Sequence, residues 1–278
     1  MSVHETFIRR CFQLAKLGKG AVAPNPFVGA VIVHDGKVIG EGYHRKYGGP
    51  HAEVNAIQSV TDKGLLSEAT VYVNLEPCSF TGNTPPCADL LVHHQVKRVV
   101  ISNVDPHERV SGTGIERLRQ AGIDVVTDVL SEEGAELNRR FFAFHQKKRP
   151  YIILKWAQSQ DGYLDLRRQP GVKGINWVST KEAKLLTHLW RSEEAAILVG
   201  RKTVEVDNPT LTVREVSGNN PTRIVLDPND SLSRDYHVFD ESARTLIYNH
   251  KKKSEKDRSV NVLTENYLHG VLENLYQE

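Results

Sequence analysis

Residues 28 to 43, VGAVIVHDGKVIGEGY, restrict the fold more than any other stretch of the chain. Alternating apolar runs flank Asp35-Gly36, and a two-residue Asp-Gly connection between such runs specifies a β-hairpin. Around it, helical and extended patterns alternate. Phe7, Cys11, Leu14 and Ala15 fall at helical spacing, and that helix ends near Gly18 to Gly20. His51 to Val60 reads as a helix, TVYVNLE (70–76) as a strand, Ala88 to His94 as a helix and RVVISNV (98–104) as a strand. Ile115 to Gln120 then reads as a helix and IDVVTDV (123–129) as a strand, and Ser131 caps one last amphipathic helix through AELNRRFFAFHQ. This order predicts a single mixed, mainly parallel sheet with helices on both faces.

QKKRP (146–150) ends that pattern with charge and a proline, so the domains are expected at 1–148 and 149–278. The second begins with a predicted strand, YIILKWA (151–157), then a capped helix in STKEAKLLTHLWR. Strands follow at AAILVG, RIVLD, RTLIYN and VNVLT, with a last helix near HGVLENLY; HKKKSEKDR (250–258) reads as a solvated loop. Neither half repeats the other. A length of 278 residues suits two domains of ordinary size, and 36 basic against 34 acidic residues leave no field for a polyanion. No apolar run reaches eighteen residues, and the polar N-terminus lacks a signal-peptide core. Three cysteines make a poor disulfide framework, so a reducing, cytoplasmic setting is expected, with neither a nucleic-acid nor a membrane partner.

Two of those cysteines carry the chemistry. GGPHAEVNAI (48–57) places His51 and Glu53 in the first turn of a helix, and NLEPCSFTGNTPPCADLL (74–91) holds Cys78 and Cys87 where loops enter helices. A hydrolytic zinc site takes three ligands of these types and leaves a position for water. Glu53, two residues from His51, does not share its helical direction, which suits a proton shuttle beside the metal. A His-x-Glu followed by a Cys-x-x-Cys pair is the signature of zinc nucleobase deaminases. Here eight residues separate the cysteines. Cys11, on the apolar face of the first helix, reads as packing.

With PNPFVGAVIV, GYHRKYGGPHAEVNAI, LEPCSFTGNTPPCADLL and VDPHERVSGTGIERLRQAGI together, residues 1–148 resemble the deaminase domain of the RibD family of bifunctional riboflavin-biosynthesis deaminase/reductases. The long insert between the cysteines is normal there. The resemblance implies a cytidine-deaminase-like three-layer α/β/α domain, zinc on His51, Cys78 and Cys87, and Glu53 as the catalytic proton carrier. Asn25 and His44 match ring-contacting positions. The implied reaction is hydrolytic deamination of 2,5-diamino-6-(5-phosphoribosylamino)pyrimidin-4-one.

Residues 149–278 resemble the family's reductase domain through ILKWAQSQDGYL, INWVST, HLWRSEEAAILVGRKTVEVDNPTLTVR and PTRIVLD. This implies a partial dihydrofolate-reductase-like α/β domain. Trp177, Thr203 and Asp207 match NADPH contacts, and Arg191, Leu211 and Arg214 match contacts to the small-molecule pyrimidine ribonucleotide. Family members commonly form homodimers or homotetramers. The family continues past HGVLENLYQE into a strand and a Glu-Gly-Gly loop, so weak or absent NADPH binding is expected of this chain.

The departures cluster. Phe80 and Asn83 stand where the family usually has a histidine and a base, His107 and Glu108 fall within an altered DPHERV, and Ile175 replaces a small polar residue. His107 or Arg109 is expected to compensate in holding the ribose phosphate. Two other readings follow from the same residues: a deaminase of another nucleobase-type substrate, and a non-catalytic zinc-binding partner of a complete paralogue. Retention of Glu53 speaks against the second, because a structural zinc needs no proton shuttle.

Overall fold

The structure is a computed structural model that describes residues 2–81, 85–169, 171–251, 259–261 and 266–277. The chain divides into two compact units, Met1–Tyr151 and Ile152–Glu278. Asn83 and residues 252–258 of the basic loop lie outside the described residues.

In the first unit, α1 (Val3–Ala15) opens on a capping box: Ser2 accepts from the Glu5 amide and the Glu5 side chain returns to the Ser2 amide. The hairpin forms as β1 (Gly29–His34) and β2 (Lys37–Tyr43), with Asp35 and Gly36 both at positive φ. Then come α2 (Ala52–Ser59), β3 (Thr70–Leu75), α3 (Cys87–His93), β4 (Arg98–Asn103), α4 (Thr113–Gln120) and β5 (Asp124–Val126). The sheet order is β2-β1-β3-β4-β5. β1 pairs antiparallel with β2 and β3, while β3/β4 and β4/β5 are parallel. The expected mainly parallel sheet is therefore half antiparallel, because β1 runs against both of its neighbours.

Strand alternation splits the apolar residues between two faces. Ala30, Ile32, Val71, Val73, Val99 and Ile101 pack with α2, α3 and α4. Val31, Val33, Tyr72 and Val100 pack against Ile8, Cys11 and Phe12 of α1. The helix α2 sits close on β2: a Cβ at Gly42 would lie 2.3 Å from the Ala56 amide nitrogen. That approach fixes the N-terminus of α2, where His51 is the capping residue.

Two expectations fail at the end of this unit. β5 stops at Val126, since Asp128 and Leu130 turn at positive φ. The single helix after Ser131 is two, α5 (Ser131–Leu137) and α6 (Arg139–Lys147). Ser131 is the first residue of α5 and makes no capping bond; Asn138 breaks the run with φ −103° and ψ 23°. The Asn138 amide is committed elsewhere: its Oδ1 accepts from Phe27 N–H at 2.8 Å and its Nδ2 donates to Phe27 O at 2.9 Å.

The second unit contains α7 (Lys181–Glu193), β6 (Ala196–Gly200), α8 (Arg201–Asp207), β7 (Thr222–Leu226), β8 (Thr245–Asn249), β9 (Ser259–Asn261) and α9 (Tyr267–Gln277). Thr180 caps α7 by accepting from the Ala183 amide at 3.2 Å. The strands form a parallel sheet in the order β6-β7-β8-β9. The strand expected at VNVLT starts one residue earlier, and residues 262–264 lie outside the description. YIILKWA forms no strand, because it finds no ladder partner among the described residues; Ile152, Ile153, Leu154 and Trp156 are exposed. The helix α8 was not foreseen. It packs Val204 against Val225, Leu232 and Val238. Arg223 of β7 is fully buried and bonds Asp240, Thr245 and the Ala243 carbonyl.

Candidate metal centre

Three loops converge at the ends of β2, β3 and the first turn of α2. His51 Nδ1 lies 3.3 Å from Cys87 Sγ and 3.6 Å from Cys78 Sγ, and the three donor atoms all fall within 4.8 Å of one another. A tetrahedral zinc with Zn–S of about 2.3 Å and Zn–N of about 2.0–2.1 Å spans an N···S edge of about 3.5 Å. The donor set therefore fits zinc in both chemistry and spacing.

Electrostatics agree. The Cys78 thiol is pulled down to about 4, chiefly by its hydrogen bond with Cys87 and also by His51. The Cys87 amide at the start of α3 adds a bond to Cys78 Sγ at 3.3 Å. Sharing with Cys78, followed by burial, pushes the Cys87 thiol up. The hydrogen bond to Cys78 lifts His51 to about 8. A partly buried thiolate facing a second cysteine and an imidazole suits a divalent cation.

Glu53 is 4% exposed, and burial raises its pKa above the ordinary carboxylate value. His44, buried at the end of β2, stands edge-on to His51 with ring centres 5.6 Å apart. Its Nδ1 meets the Pro50 carbonyl at 3.0 Å, so that nitrogen carries the proton and Nε2 accepts from Asn25 Nδ2 at 3.1 Å. Burial lowers the His44 pKa, which keeps the ring neutral. The Asn25 amide N–H donates to Val22 O at 2.8 Å, and two residues on, the Phe27 carbonyl accepts from both Asn74 and Asn138 at 2.9 Å. Thus His51, Glu53, Cys78, Cys87, Asn25 and His44 come together.

Three residues were missed in the sequence. Glu76 is buried and accepts four backbone N–H bonds from residues 105 to 115. Asp105 is buried, and desolvation raises it to about 7, with the nearby charge of Glu76 and Cys78 adding to the rise. His145 of α6 lies beside His107, ring centres 4.8 Å apart, and His107 also stacks on Phe80 at 6.1 Å. The available signal was a glutamate closing the apolar strand TVYVNL directly before Pro-Cys.

In the second unit the expected residues fall in separate groups. Arg191 Nη1 donates to Thr212 O at 2.7 Å, and Arg214 Nη1 to Thr210 Oγ1 at 3.0 Å. Arg191 Nε is buried without a hydrogen-bond partner among the described residues, and burial, aided by the charge of Arg214, lowers the Arg191 pKa. Leu211, between them in sequence, is buried against Val204 and Val225. Thr203 and Asp207 share α8. Trp177 is exposed, with Lys184 Nζ 5.6 Å from its ring centre. No helix among the described residues is long and apolar enough to cross a membrane.

Residues 1–103 match the cytidine and deoxycytidylate deaminase zinc-binding region, and residues 150–278 match the RibD C-terminal domain. A riboflavin biosynthesis protein RibD of Aquifex aeolicus is 42% identical over 94% of this chain and 73% of its own length. The corresponding protein of Actinobacillus pleuropneumoniae is 44% identical over 80% of this chain and 57% of its own. A crystal structure of a diaminohydroxyphosphoribosylaminopyrimidine deaminase/5-amino-6-(5-phosphoribosylamino)uracil reductase from Thermotoga maritima superposes with a TM-score of 0.87 at 42% identity, covering 99% of this chain and 78% of that one.

Proposed function

The chain belongs to the RibD family, riboflavin-pathway enzymes with a zinc-dependent deaminase domain and an NADPH-dependent reductase domain, and from that premise we propose that its first unit deaminates 2,5-diamino-6-(5-phosphoribosylamino)pyrimidin-4-one. The observation that carries this reading is the His51–Cys78–Cys87 triad with the buried Glu53 beside it. Zinc held by the triad supplies the Lewis acidity that makes water nucleophilic near neutral pH.

The remaining work belongs to the chain's own residues. Glu53 accepts the proton of the attacking water and delivers it to the departing amine, acting first as general base and then as general acid. Its burial raises its proton affinity toward the range such a double role needs. Neutral His44 holds the Asn25 amide by its Nδ2, so Oδ1 is left to accept from a ring donor of the substrate. The imidazoles of His107 and His145 offer the ribose phosphate the donors that Phe80 cannot.

In the second unit, Arg191 and Arg214 are the groups suited to the phosphate of the reductase substrate, and the orphaned Nε of Arg191 supports that assignment. Trp177, Thr203 and Asp207 are assigned to NADPH.

The test is ammonia release from the phosphoribosylated diaminopyrimidine by zinc-loaded protein, with NADPH absent and then present. Ammonia without NADPH supports the deaminase reading. Stoichiometric zinc with no ammonia overturns it and points to a different substrate.

A further inference from the structure

Glu76 stands two residues before the ligand Cys78 and is 3% exposed. Its partners are backbone amides. Oε1 accepts from Gly114 and Ile115 at 2.9 and 3.1 Å, and Oε2 from Gly112 and Asp105 at 2.9 and 3.2 Å. Its own N–H donates to Asn103 O at 2.9 Å. Four donors converging on a buried carboxylate compensate a charge that is otherwise costly to bury.

The bonds hold one segment by both ends. Asp105 opens it, and Gly112 to Ile115 carry it into α4. On the near side the contact is as close as backbone permits: a Cβ at Gly114 would lie 2.0 Å from Pro77 O. Between the tied ends, Asp105 Oδ1 accepts from His107 N–H at 2.8 Å, and the His107 ring stacks on Phe80 of the cysteine loop. The segment and the ligand loop are thus joined through the Glu76 carboxylate and the Phe80–His107 stack, with Ser79 Oγ and Thr113 Oγ1 bonded at 2.6 Å at the start of α4.

We propose that Glu76 is a positioning residue for the deamination: it fixes the 105–112 segment against the ligand loop and so sets where His107 stands to receive the ribose phosphate. The proposal rests on the function proposed above. A glutamine at 76 has the same shape but only one acceptor oxygen, and its NH2 group would face two backbone donors. The segment then loses one tied end.

The experiment measures kcat and KM of ammonia release by the zinc-loaded full chain, comparing wild type, Glu76→Gln, His107→Ala and the double variant. With Glu76→Gln, KM is expected to rise at least about tenfold while kcat stays within about threefold and zinc content is unchanged. His107→Ala raises KM by itself but adds little in the Glu76→Gln background, because its ring is already displaced. KM does not depend on the folded fraction, so a purely structural loss would leave it where it was. Should Glu76→Gln fail to fold, Glu76→Asp keeps the charge one carbon short and carries the same expectation at smaller amplitude. An unmoved KM, or independent multiplication of the two KM effects, overturns the proposal alone. Wild type that releases no ammonia overturns the functional reading beneath it.

Discussion

His51 Nδ1 and Cys87 Sγ stand 3.3 Å apart across a separation of 36 residues in the chain. One belongs to the residue before α2, the other to the first residue of α3. Both helix starts are brought to the same end of the sheet, and the consequences can be measured.

Replacing Cys87 with serine removes the soft donor nearest the imidazole. Bound zinc per chain is expected to fall well below one, and the melting temperature to become independent of added zinc. For wild type, zinc at about 100 times its dissociation constant contributes about 2.7 kcal/mol to the folded state. Metal analysis and thermal unfolding with and without chelator check both statements.

Glu53→Gln keeps the volume and loses the proton transfer. Turnover is expected to fall by about 10²- to 10⁴-fold with zinc content unchanged. Equal losses of zinc and turnover would assign Glu53 to the metal itself.

Asp105 carries a pH signature. Its folded pKa is raised from 3.8 to about 7, mainly by burial. A raised value on an acid means the folded state binds the proton more tightly than the unfolded one. That contribution is fully present below about pH 4 and is lost as pH rises through about 7. The displacement corresponds to at most about 4 kcal/mol. Asp105→Asn resembles the protonated form, so the variant is expected to melt above wild type at pH 8 and to converge with it near pH 4.5. Melting curves across that range decide; parallel curves would refute it.

Arg223→Met tests the second unit. The guanidinium, fully buried, bonds Asp240 Oδ1 at 2.8 Å, Thr245 Oγ1 at 2.8 Å and the Ala243 carbonyl at 2.6 Å. Removing it takes a donor from the Ala243 carbonyl and Thr245 Oγ1, while the half-exposed Asp240 keeps its bonds from Ser242, at a cost of about 1–3 kcal/mol. Denaturant unfolding followed through the tryptophans, all of which lie in this unit, reports the loss.

The hairpin and the clustering of His51, Cys78 and Cys87 were legible because their signals are local: a two-residue turn, and ligand types at loop-to-helix entries. Glu76 was not, since its partners are amides 29 to 39 residues away and an amide has no residue type to read. The break at Asn138 escaped for a related reason. Periodicity continues through it, while its side chain serves Phe27 from 111 residues downstream. YIILKWA reads as a strand by composition, but a strand is a pairing, and no neighbour among the described residues provides the ladder. Leu211 shows the opposite limit: the sequence allows core or contact, and its burial places the side chain among Val204 and Val225.

The clamp on Phe27 also sets an order of events during synthesis. All three triad residues have been added to the chain by position 87, and the hairpin well before that. The loop carrying Asn25 gains its second asparagine only when position 138 has left the ribosome. At about 5–20 residues per second, the nascent chain spends several seconds with His51, Cys78 and Cys87 all added and the loop carrying Asn25 still half tethered.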